Sequence, residues 1–460
     1  MILELREGQQ EAYDIMRSGE NFFLSGDAGT GKTELLRKFI NDSRKDKLKV
    51  VVCAPTGLAA DKIGGTTIHR AFGYPTCVLN SSTKEVEVDI KEKDSDENMK
   101  IRSHRFVTNG VLDDANIVII DEISSVRLDL FQLVTSQIMD ENRRRETLGS
   151  GSPIQLVVSG DFAQTKPVYT SDDERNRDDL KLVKLLYKNV KEGYSFESEN
   201  WNKMNFVVKH LTEVIRQEDK TFSHVLKCLR LGKEEGIKAL DWLNKNIKIR
   251  KWDGEAVVIC GTKKEVDMIN EMKYKELEGE GTNFIEECRM NEGYRINNSD
   301  RRNSKVVSLK VGAQVMCLIN EKDAKYKNGS IGEITKINKG TVSVKFNNGE
   351  FEFTKYTWDI KDGFDNKIGE VTQIPLTLAY AITVHKAQGQ TFEKVCIKPS
   401  IYFDEAMHYV AVSRVKTLDG LQLYDGEEFT DIVTFSSGYQ RPIKLTNDTV
   451  RKFLINNNLV

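Results

Sequence analysis

The stretch Gly26-Asp27-Ala28-Gly29-Thr30-Gly31-Lys32-Thr33 decides the fold, because it has the spacing G-x-x-x-x-G-K-[ST] of a phosphate-binding loop. It follows the short apolar stretch 21–25 and precedes a helical pattern, the context in which this motif binds phosphate. Glycines here let backbone N–H groups approach a phosphate closely. We expect Lys32 to reach the β- and γ-phosphates of ATP and the Thr33 hydroxyl to ligate Mg²⁺. Residues 26–33 therefore predict a nucleoside triphosphate site.

The composition is that of a globular protein with a charged surface: of 460 residues, 39% are hydrophobic and 30% are charged. A chain of this length exceeds one hydrophobic core, so we expect two or three domains. It has no apolar run near the ~20 residues of a membrane span, no signal peptide, and seven cysteines without a C-x-x-C pair. These features predict a cytoplasmic protein. The net charge of −2 gives no general support for nucleic-acid binding, although it leaves room for a local basic channel.

Short apolar strands alternate with helical patterns in roughly the first 200 residues, which indicates a parallel sheet covered on both faces. The expected strands are 21–25, 49–54, 115–120 and 154–159. A second α/β pattern starts at about Val207, with strands at 207–211 and 256–260. From 306 to about 372 the apolar residues alternate, and Asn348-Gly349 marks a hairpin turn. We therefore expect a small all-β module inserted in the second α/β domain.

Two carboxylates, Asp121 and Glu122, follow the apolar run 116–120. In a doubly wound sheet, ligands bind at the carboxyl ends of such buried strands. We expect Asp121 to hold Mg²⁺, and Glu122 to orient and deprotonate the attacking water. A strand followed by a polar turn would explain the pair equally well on its own. The phosphate loop upstream favours the catalytic interpretation.

Three further side chains are candidates for the catalytic site. Gln164, after the strand 154–159, could sense the γ-phosphate. Arg216 and Arg414 each lie among apolar residues, where an arginine needs an anionic partner. On a second domain facing ATP, both would make hydrolysis depend on closure of the cleft. An ordinary salt bridge is the alternative for either arginine.

Hydroxyl, imidazole and ammonium groups in three short segments suit contacts to a nucleic-acid backbone. An aromatic ring beside them could stack on bases of a single strand. The alternative is that the aromatic residues are simply packed in the core. The candidate contacts are Thr56, Thr67, His69, Phe72, Thr383, His385 and Lys386.

Together and in this order, the motifs resemble those of the petite-integration-frequency helicases, the 5′-to-3′ branch of superfamily 1 that also contains RecD-like enzymes. The resemblance covers nearly the whole chain. It rests on the segments 5–12, 26–33, 54–60, 64–69, 121–126, 309–316, 328–332, 385–391 and 409–415. It implies that Gln9 contacts adenine and that Gly389 belongs to the nucleotide site.

The fold implied by the resemblance is α/β, with two RecA-like P-loop NTPase domains. A small wedge insertion interrupts the first domain, and an SH3-like β insertion interrupts the second. The implied boundaries are 1–205 for the first domain with its wedge at 76–108, then 206–304 and 375–460 for the second domain, and 305–374 for the SH3-like insertion.

The function implied by the resemblance is that of an ATP-dependent DNA helicase, which translocates 5′-to-3′ on single-stranded DNA and unwinds duplex with Mg²⁺-dependent ATP hydrolysis. The implied partners are single-stranded DNA and tailed or forked duplexes, with G-quadruplexes and RNA–DNA hybrids left open. We expect a monomer that does not bind membranes. The implied processes are DNA replication, recombination, repair and telomere maintenance. Because the motifs begin within ten residues of Met1, we expect a bare motor of bacterial or phage type.

The chain departs from the family pattern after the third strand of the first domain. Ala163 stands where the family usually has an aromatic residue, and Thr165-Lys166 where it usually has Leu-Pro. We expect a weaker or more electrostatic grip on DNA there. A DNA-independent P-loop ATPase, such as a remodelling motor or a small-molecule kinase, would explain Lys32, Asp121 and Glu122 equally well. It would leave the second α/β domain and the segment 385–391 unexplained. A scaffold without hydrolysis is disfavoured by the intact set of catalytic side chains.

Overall fold

The structure is a computed structural model of the 460-residue chain. It describes residues 5–74, 78–80, 85–90, 100–105, 110–169, 179–213, 219–248, 252–292, 296, 301–320, 326, 328–361, 366–398, 406–423 and 446–459. Among the helices in these ranges, none is long and apolar enough to cross a membrane.

The first 211 residues alternate strands and helices, as expected. The strands are β1 (Phe22–Gly26), β2 (Val50–Ala54), β3 (Thr66–Thr67), β4 (Val78–Asn80), β5 (Glu85–Ile90), β6 (Lys100–Arg105), β7 (Ile117–Ile120), β8 (Gln155–Gly160) and β9 (Val207–Leu211). The helices are α1 (Glu7–Arg17), α2 (Lys32–Lys45), α3 (Gly57–Lys62), α4 (Ile68–Phe72), α5 (Leu128–Leu148), α6 (Asp179–Leu186) and α7 (Glu199–Lys203).

Six of these strands form a parallel sheet in the order β3-β2-β7-β8-β1-β9. Its strands are continuous apolar runs because both faces are covered. Alternate residues enter two cores: Phe23, Val118 and Ile120 lie in one, and Phe22 and Ile119 in the other. The four strands expected in the first domain are therefore confirmed.

The expected strand at 207–211 is present, but it lies in the first sheet and not in the second domain. We expected Val207–Leu211 to start the second domain, but β9 pairs in parallel with β1, with Phe22 opposite Val207 and Gly26 opposite Leu211. The first domain therefore extends past the predicted boundary at residue 205. The apolar pattern of a strand shows that it is buried, but it does not show which sheet buries it.

Between α4 and β7 the chain forms a small antiparallel sheet. β4 pairs with β5, and β5 pairs with β6. The described part of this sheet lies in the region 76–108, where the resemblance implies a wedge insertion. That role stays a prediction.

The second half of the chain also combines strands and helices. The strands are β10 (Val257–Cys260), β11 (Thr282–Ile285), β12 (Glu287–Met290), β13 (Val306–Leu309), β14 (Gln314–Cys317), β15 (Ile331–Asn338), β16 (Thr341–Phe346), β17 (Gly349–Phe353), β18 (Tyr356–Lys361), β19 (Lys367–Gln373), β20 (Leu376–Leu378), β21 (Ala381–Thr383), β22 (Val395–Ile397) and β23 (Leu421–Leu423). The helices are α8 (Lys220–Leu231), α9 (Lys233–Asn246), α10 (Lys263–Glu276), α11 (Val384–Ala387), α12 (Met407–Val412) and α13 (Asp448–Asn456).

A second parallel sheet has the order β21-β10-β22-β23, and α8, α9 and α12 contribute to its core. Antiparallel sheets are inserted between α10 and β21, in the orders β17-β16-β15-β14-β20, β12-β19-β18 and β11-β13. The predicted hairpin joins β16 to β17, with Phe346 opposite Gly349. The antiparallel pairing runs from Thr282 to Leu378, so it exceeds the predicted limits 305–374 at both ends.

The C-terminal helix returns to the first domain. Val450, Leu454 and Leu459 are buried in the core of the first sheet, and the Phe453 ring stacks on Phe196 with centroids 4.2 Å apart. Helix α13 and Leu459 therefore pack on the core of the first domain, which corrects the predicted range 375–460, while Thr446 Oγ1 donates to the carbonyl oxygen of Arg230 in the second domain.

Candidate active site and nucleic-acid interface

The phosphate loop connects β1 to α2 in a tight turn. Gly29 and Gly31 have φ angles of 84° and 81°, which residues other than glycine rarely adopt. A Cβ atom on Gly26 would lie 2.8 Å from Thr30 Oγ1 and 2.9 Å from the carbonyl oxygen of Leu211. Glycine at position 26 thus allows the loop to pack against β9.

The Lys32 ammonium lies inside this loop. Its Nζ donates to the carbonyl oxygens of Gly26, at 2.7 Å, and Asp27, at 3.0 Å. Burial lowers the pKa of Lys32, and the carboxylates of Asp161 and Glu122 oppose that effect. A buried ammonium on a glycine-rich loop fits an anionic phosphate group, which would replace the carbonyl contacts.

Gln9 of α1 reaches the same loop. Its Nε2 donates to the carbonyl oxygen of Thr30 at 3.2 Å, and its Oε1 accepts from the Arg6 N–H at 3.2 Å. Gln9 lies 17 residues before Gly26, the first residue of the loop, and the structure brings its side chain into contact with the loop. Its contact with adenine stays a prediction.

Asp121 follows β7 and is 4% exposed. Burial, followed by the charge of Glu122, raises the pKa of Asp121 to about 6. A carboxylate in this environment is stabilised by a nearby cation. In the described ranges no three His, Cys, Asp or Glu side chains are grouped as metal ligands. Mg²⁺ commonly binds through one or two carboxylates together with substrate phosphates, and Asp121 is a carboxylate of this kind; its binding of Mg²⁺ stays a prediction. Thr33, in the first turn of α2, is the second candidate ligand.

Glu122 makes a contact that the sequence did not indicate. Its backbone is left-handed, with φ 53°, and its Oε2 accepts a hydrogen bond of 2.9 Å from Gln388 Nε2 in the second domain. A Cβ on Gly389 would lie 3.7 Å from Glu122 Oε1 and 2.6 Å from Lys62 Nζ. The structure thus brings Gly389 close to the expected general base.

Gln164 is buried behind β8, where its Nε2 donates to Asp161 Oδ2 at 3.4 Å. Asp161 in turn pairs with Arg230 of α8, whose Nη2 lies 3.0 Å from Asp161 Oδ1. The structure therefore links the candidate γ-phosphate sensor to the second domain.

Arg230 is a site residue that the sequence analysis missed. Burial opposes its charge, but Asp161 and Asp27 hold the pKa of Arg230 above its ordinary value. Arg230 Nε lies 3.1 Å from Asp27 Oδ1, and Nη1 donates to the carbonyl oxygen of Leu459 at 2.8 Å. The criterion that predicts Arg216 and Arg414, an arginine among apolar residues, applies equally to Arg230 in Cys228-Leu229-Arg230-Leu231.

Two more side chains hold the phosphate loop. The Ala28 N–H donates to the Tyr409 hydroxyl of α12 at 3.0 Å, across the two domains. His210 of β9 lies 3.4 Å from Asp27 Oδ1. Although burial acts in the opposite direction, His210 and Arg230 lower the pKa of Asp27.

The Arg414 side chain is engaged within the second domain. It is 1% exposed, and it donates to the carbonyl oxygens of Val410, at 2.7 Å, and Ala387, at 3.3 Å. It thereby holds the turn that carries Gln388. Its predicted contact with ATP is not among these bonds and stays a prediction. Arg216 lies outside the described residues.

Three of the candidate strand contacts, Thr56, His69 and His385, line a cavity of about 250 Å³ between the domains. Its polar lining consists of Thr56, Lys62, His69, Glu122, Ser125, Arg127, Lys166, His385 and Gln388. Burial, with a smaller effect of Arg127, lowers the pKa of His69 to about 4. Most of the charged groups of this lining are cationic, which suits a phosphodiester backbone.

The three candidate threonines all cap helices. Thr56, Thr67 and Thr383 accept backbone N–H groups at the starts of α3, α4 and α11. Thr67 also borders a second cavity of about 240 Å³, which lies against the antiparallel sheets. Lys386 lies in α11, where burial and the charge of Lys263 lower the pKa of its ammonium. Contacts of these residues with DNA stay predictions.

The prediction that Phe72 stacks on bases is wrong. Phe72 is fully buried, and its ring stacks on Tyr74 with centroids 5.3 Å apart. Tyr74 is also buried, and its hydroxyl donates to Gln137 Oε1 at 2.7 Å. Both rings therefore belong to the core, which is the alternative that the sequence left open.

A phosphate loop, the adjacent carboxylates of Asp121 and Glu122 after a strand of the same sheet, and groups from a second α/β domain facing the loop define a P-loop nucleoside triphosphatase with an interdomain site. The family model described as PIF1-like helicase matches residues 4–240. The chain belongs to this family, which confirms the resemblance seen in the motifs.

The ATP-dependent DNA helicase Pif1 of Bdellovibrio bacteriovorus is 29% identical over 92% of this chain and 88% of its own length. The PIF1 helicase of Danio rerio is 30% identical, and this chain spans 61% of its length. The crystal structure of Bacteroides sp Pif1 with ADP-AlF4 aligns over 99% of this chain and 97% of that one, with a TM-score of 0.74 and 29% identity. A Bacteroides Pif1 structure with ADP-AlF3 and single-stranded DNA aligns over 94% and 95%, with a TM-score of 0.60 and 30% identity.

Proposed function

We propose that the chain is an ATP-dependent DNA helicase, which hydrolyses ATP between its two α/β domains and moves 5′-to-3′ along single-stranded DNA while it unwinds duplex. The observation that carries this proposal is the hydrogen bond from Gln388 to Glu122. It joins the expected general base to the segment 385–391, which is expected to hold the strand. Family membership and the relatives named as ATP-dependent DNA helicases support the same activity.

The chemistry follows from the side chains around the phosphate loop. Backbone N–H groups of the loop and the Lys32 ammonium bind the β- and γ-phosphates. Glu122 accepts a proton from water as the water oxygen bonds to the γ-phosphorus. The bond from that phosphorus to the β,γ-bridging oxygen breaks, which yields ADP and phosphate. Gln164 senses the γ-phosphate, and Arg216 and Arg414 stabilise the developing charge when the cleft closes.

Asp121 and Thr33 would hold Mg²⁺, which offsets the charge of the β- and γ-phosphates when bound. The position of Asp121 directly after β7, on the sheet whose strand β1 leads into the phosphate loop, supports this role. Gln9 binds adenine, and Gly389 lets the second domain approach the nucleotide site. These assignments rest on the resemblance and on the contacts of the phosphate loop.

The strand crosses the cavity between the domains and is held at its backbone by Thr56, His69, His385 and Lys386. A tailed or forked duplex is the substrate that this arrangement favours. We further propose that the sheet β4-β5-β6 acts as the wedge, that the antiparallel module is SH3-like, and that the motor is an intracellular monomer. G-quadruplexes and RNA–DNA hybrids are to be compared as substrates.

The first test is steady-state ATP hydrolysis with and without a single-stranded oligonucleotide. We expect strong stimulation in the wild type and no hydrolysis in Lys32→Ala, because the alanine cannot bind the β- and γ-phosphates. Lys38→Ala is the matched control, since Lys38 lies on the same helix and pairs with Asp42 on its outer side. Robust hydrolysis that ignores DNA would contradict the proposal and favour a DNA-independent ATPase.

Polarity is tested separately on duplexes with a single-stranded tail at either the 5′ or the 3′ end. We expect ATP-dependent unwinding of the 5′-tailed duplex and little unwinding of the 3′-tailed one. The reverse preference would retain the helicase and overturn the proposed direction. Omission of Mg²⁺ with excess chelator should abolish hydrolysis in every sample.

A further inference from the structure

Thr165, Gln388 and Glu122 form a continuous hydrogen-bonded relay across the domain boundary. Thr165 Oγ1 donates to Gln388 Oε1 at 2.6 Å, and Gln388 Nε2 donates to Glu122 Oε2 at 2.9 Å. Lys62 Nζ donates to the Gln388 carbonyl oxygen at 2.8 Å. Two residues of the relay therefore belong to the first domain, and the amide between them belongs to the second.

The Thr165 hydroxyl fixes the orientation of the Gln388 amide. An amide presents an acceptor on one side and donors on the other, so a donor held at Oε1 leaves Nε2 facing the carboxylate. Thr165 is 1% exposed, which keeps water from competing for this bond. A leucine, which the resemblance described above implies at this position, has no hydroxyl to donate. Threonine at position 165 therefore creates the first bond of the relay.

We infer that this relay is a latch, which holds Glu122 on the second domain until a nucleic-acid strand displaces the segment that carries Gln388. The inference rests on the proposed function. The Gln388 amide donates to the Glu122 carboxylate and so stabilises its ionised form, which makes Glu122 a weaker acceptor of a proton from water as long as this bond is kept. His385, three residues before Gln388, is exposed and lines the cavity with Glu122. A strand bound there moves the turn and releases the general base.

Thr165 is a positioning residue, because it acts on Glu122 through Gln388, and its bond should also affect how tightly the strand binds. If the closed latch disfavours strand binding, then opening the latch by mutation must strengthen strand binding, because coupling between two equilibria is reciprocal. A residue that only supports the fold would not tighten binding. Affinity for the strand without nucleotide is therefore a readout independent of catalysis.

The test compares Thr165→Val, which removes the hydroxyl at nearly constant shape, with Thr165→Ser, which keeps it. We expect Thr165→Val to raise ATP hydrolysis without DNA by about five- to tenfold, as the loss of one buried hydrogen bond between neutral groups allows. Its maximal rate with a saturating oligonucleotide should be unchanged. Fluorescence anisotropy with a labelled oligothymidylate, without nucleotide, should show tighter binding by a similar factor. Thr165→Ser should retain the wild-type ratio of stimulated to basal rates.

Thr135→Val is the matched control, because it removes an equally buried hydroxyl from α5, outside the relay. Gln388→Leu breaks the relay from the other domain and should also raise the basal rate. An unchanged basal rate in Thr165→Val, or an equal fall in basal and stimulated rates, would overturn the latch while leaving the helicase intact. A wild type that DNA does not stimulate would overturn the proposed function and the latch together.

Discussion

The guanidinium of Arg230 lies 3.1 Å from the carboxylate of Asp27, so a buried ion pair ties the second domain to the phosphate loop. The same guanidinium lies 3.0 Å from Asp161 at the end of β8. One cation thus compensates two buried carboxylates on the first domain. Because charges taken out of water are costly unless they are paired, separating the two domains at this contact would leave buried charges without their partner.

Removing Arg230 should destabilise the protein strongly. We expect Arg230→Ala to lower the free energy of unfolding by about 3–5 kcal/mol, because Asp27 and Asp161 would remain buried without their cation. Urea unfolding followed by circular dichroism measures the change. Arg143→Ala, which breaks an exposed pair with Asp140, is the control and should cost less than about 1 kcal/mol. Equal effects of the two substitutions would show that the Arg230 pairs contribute no more than a surface pair.

Stability should depend on pH through His408. Burial lowers the pKa of His408 from 6.5 to about 4. Between these values the unfolded chain binds a proton at His408 that the folded chain excludes, so stability falls as pH falls from 6.5 to 4. The contribution of this group is about 3 kcal/mol. His408→Phe should lose this part of the pH dependence in unfolding curves at pH 7 and pH 4.5. A variant that retains the full dependence would assign it to other groups.

Arg414→Ala should retain ATP binding and lose turnover. An arginine that stabilises the transition state of phosphoryl transfer contributes about 10³-fold or more to kcat. The structure adds a second effect, because Arg414 holds the carbonyl oxygen of Ala387 and hence the turn that carries Gln388. Measurements of kcat, and of nucleotide affinity with a fluorescent analogue, separate catalysis from binding. Normal turnover would reduce Arg414 to its role in the turn.

Phe72 and His385 should respond in opposite ways. Phe72→Ala should lower the free energy of unfolding by about 3–5 kcal/mol, because it leaves a cavity in the first core. At temperatures where that variant is folded, its affinity for an oligonucleotide should be unchanged.

His385→Ala should weaken oligonucleotide binding without changing the melting temperature, because His385 is exposed. His224→Ala, at an exposed site on α8, controls for loss of a surface imidazole.

Individual strands and the phosphate loop could be predicted from the sequence, because burial and turn geometry each restrict which residue types occur at a position. The run Ile117–Ile120 is apolar throughout because both faces of β7 are covered, and the glycines of the phosphate loop adopt φ angles that few residues tolerate. The alternation in Thr341–Phe346 likewise matched an antiparallel strand. These patterns depend on neighbours within a few residues.

The misplaced elements depend instead on pairings between distant residues. Strand β9 meets β1 across about 180 residues of chain, and α13 packs on a core formed far upstream. Arg230 was overlooked because its two partners, Asp27 and Asp161, lie in the other domain, far from it in the chain. The prediction for Phe72 was wrong for a similar reason, since the sequence does not show whether an aromatic ring faces a core or a cavity.

The return of α13 has a mechanical consequence. The chain leaves the first sheet after Leu211, builds the second domain, and comes back to the first core at Val450. The two halves of the motor are thus tethered at two separate anchor points rather than one. A body held at two points swings about the line that joins them and cannot twist freely. We therefore expect the two domains to move relative to each other mainly about the line through these two connections, and a chain cut before α13 should lose this restriction.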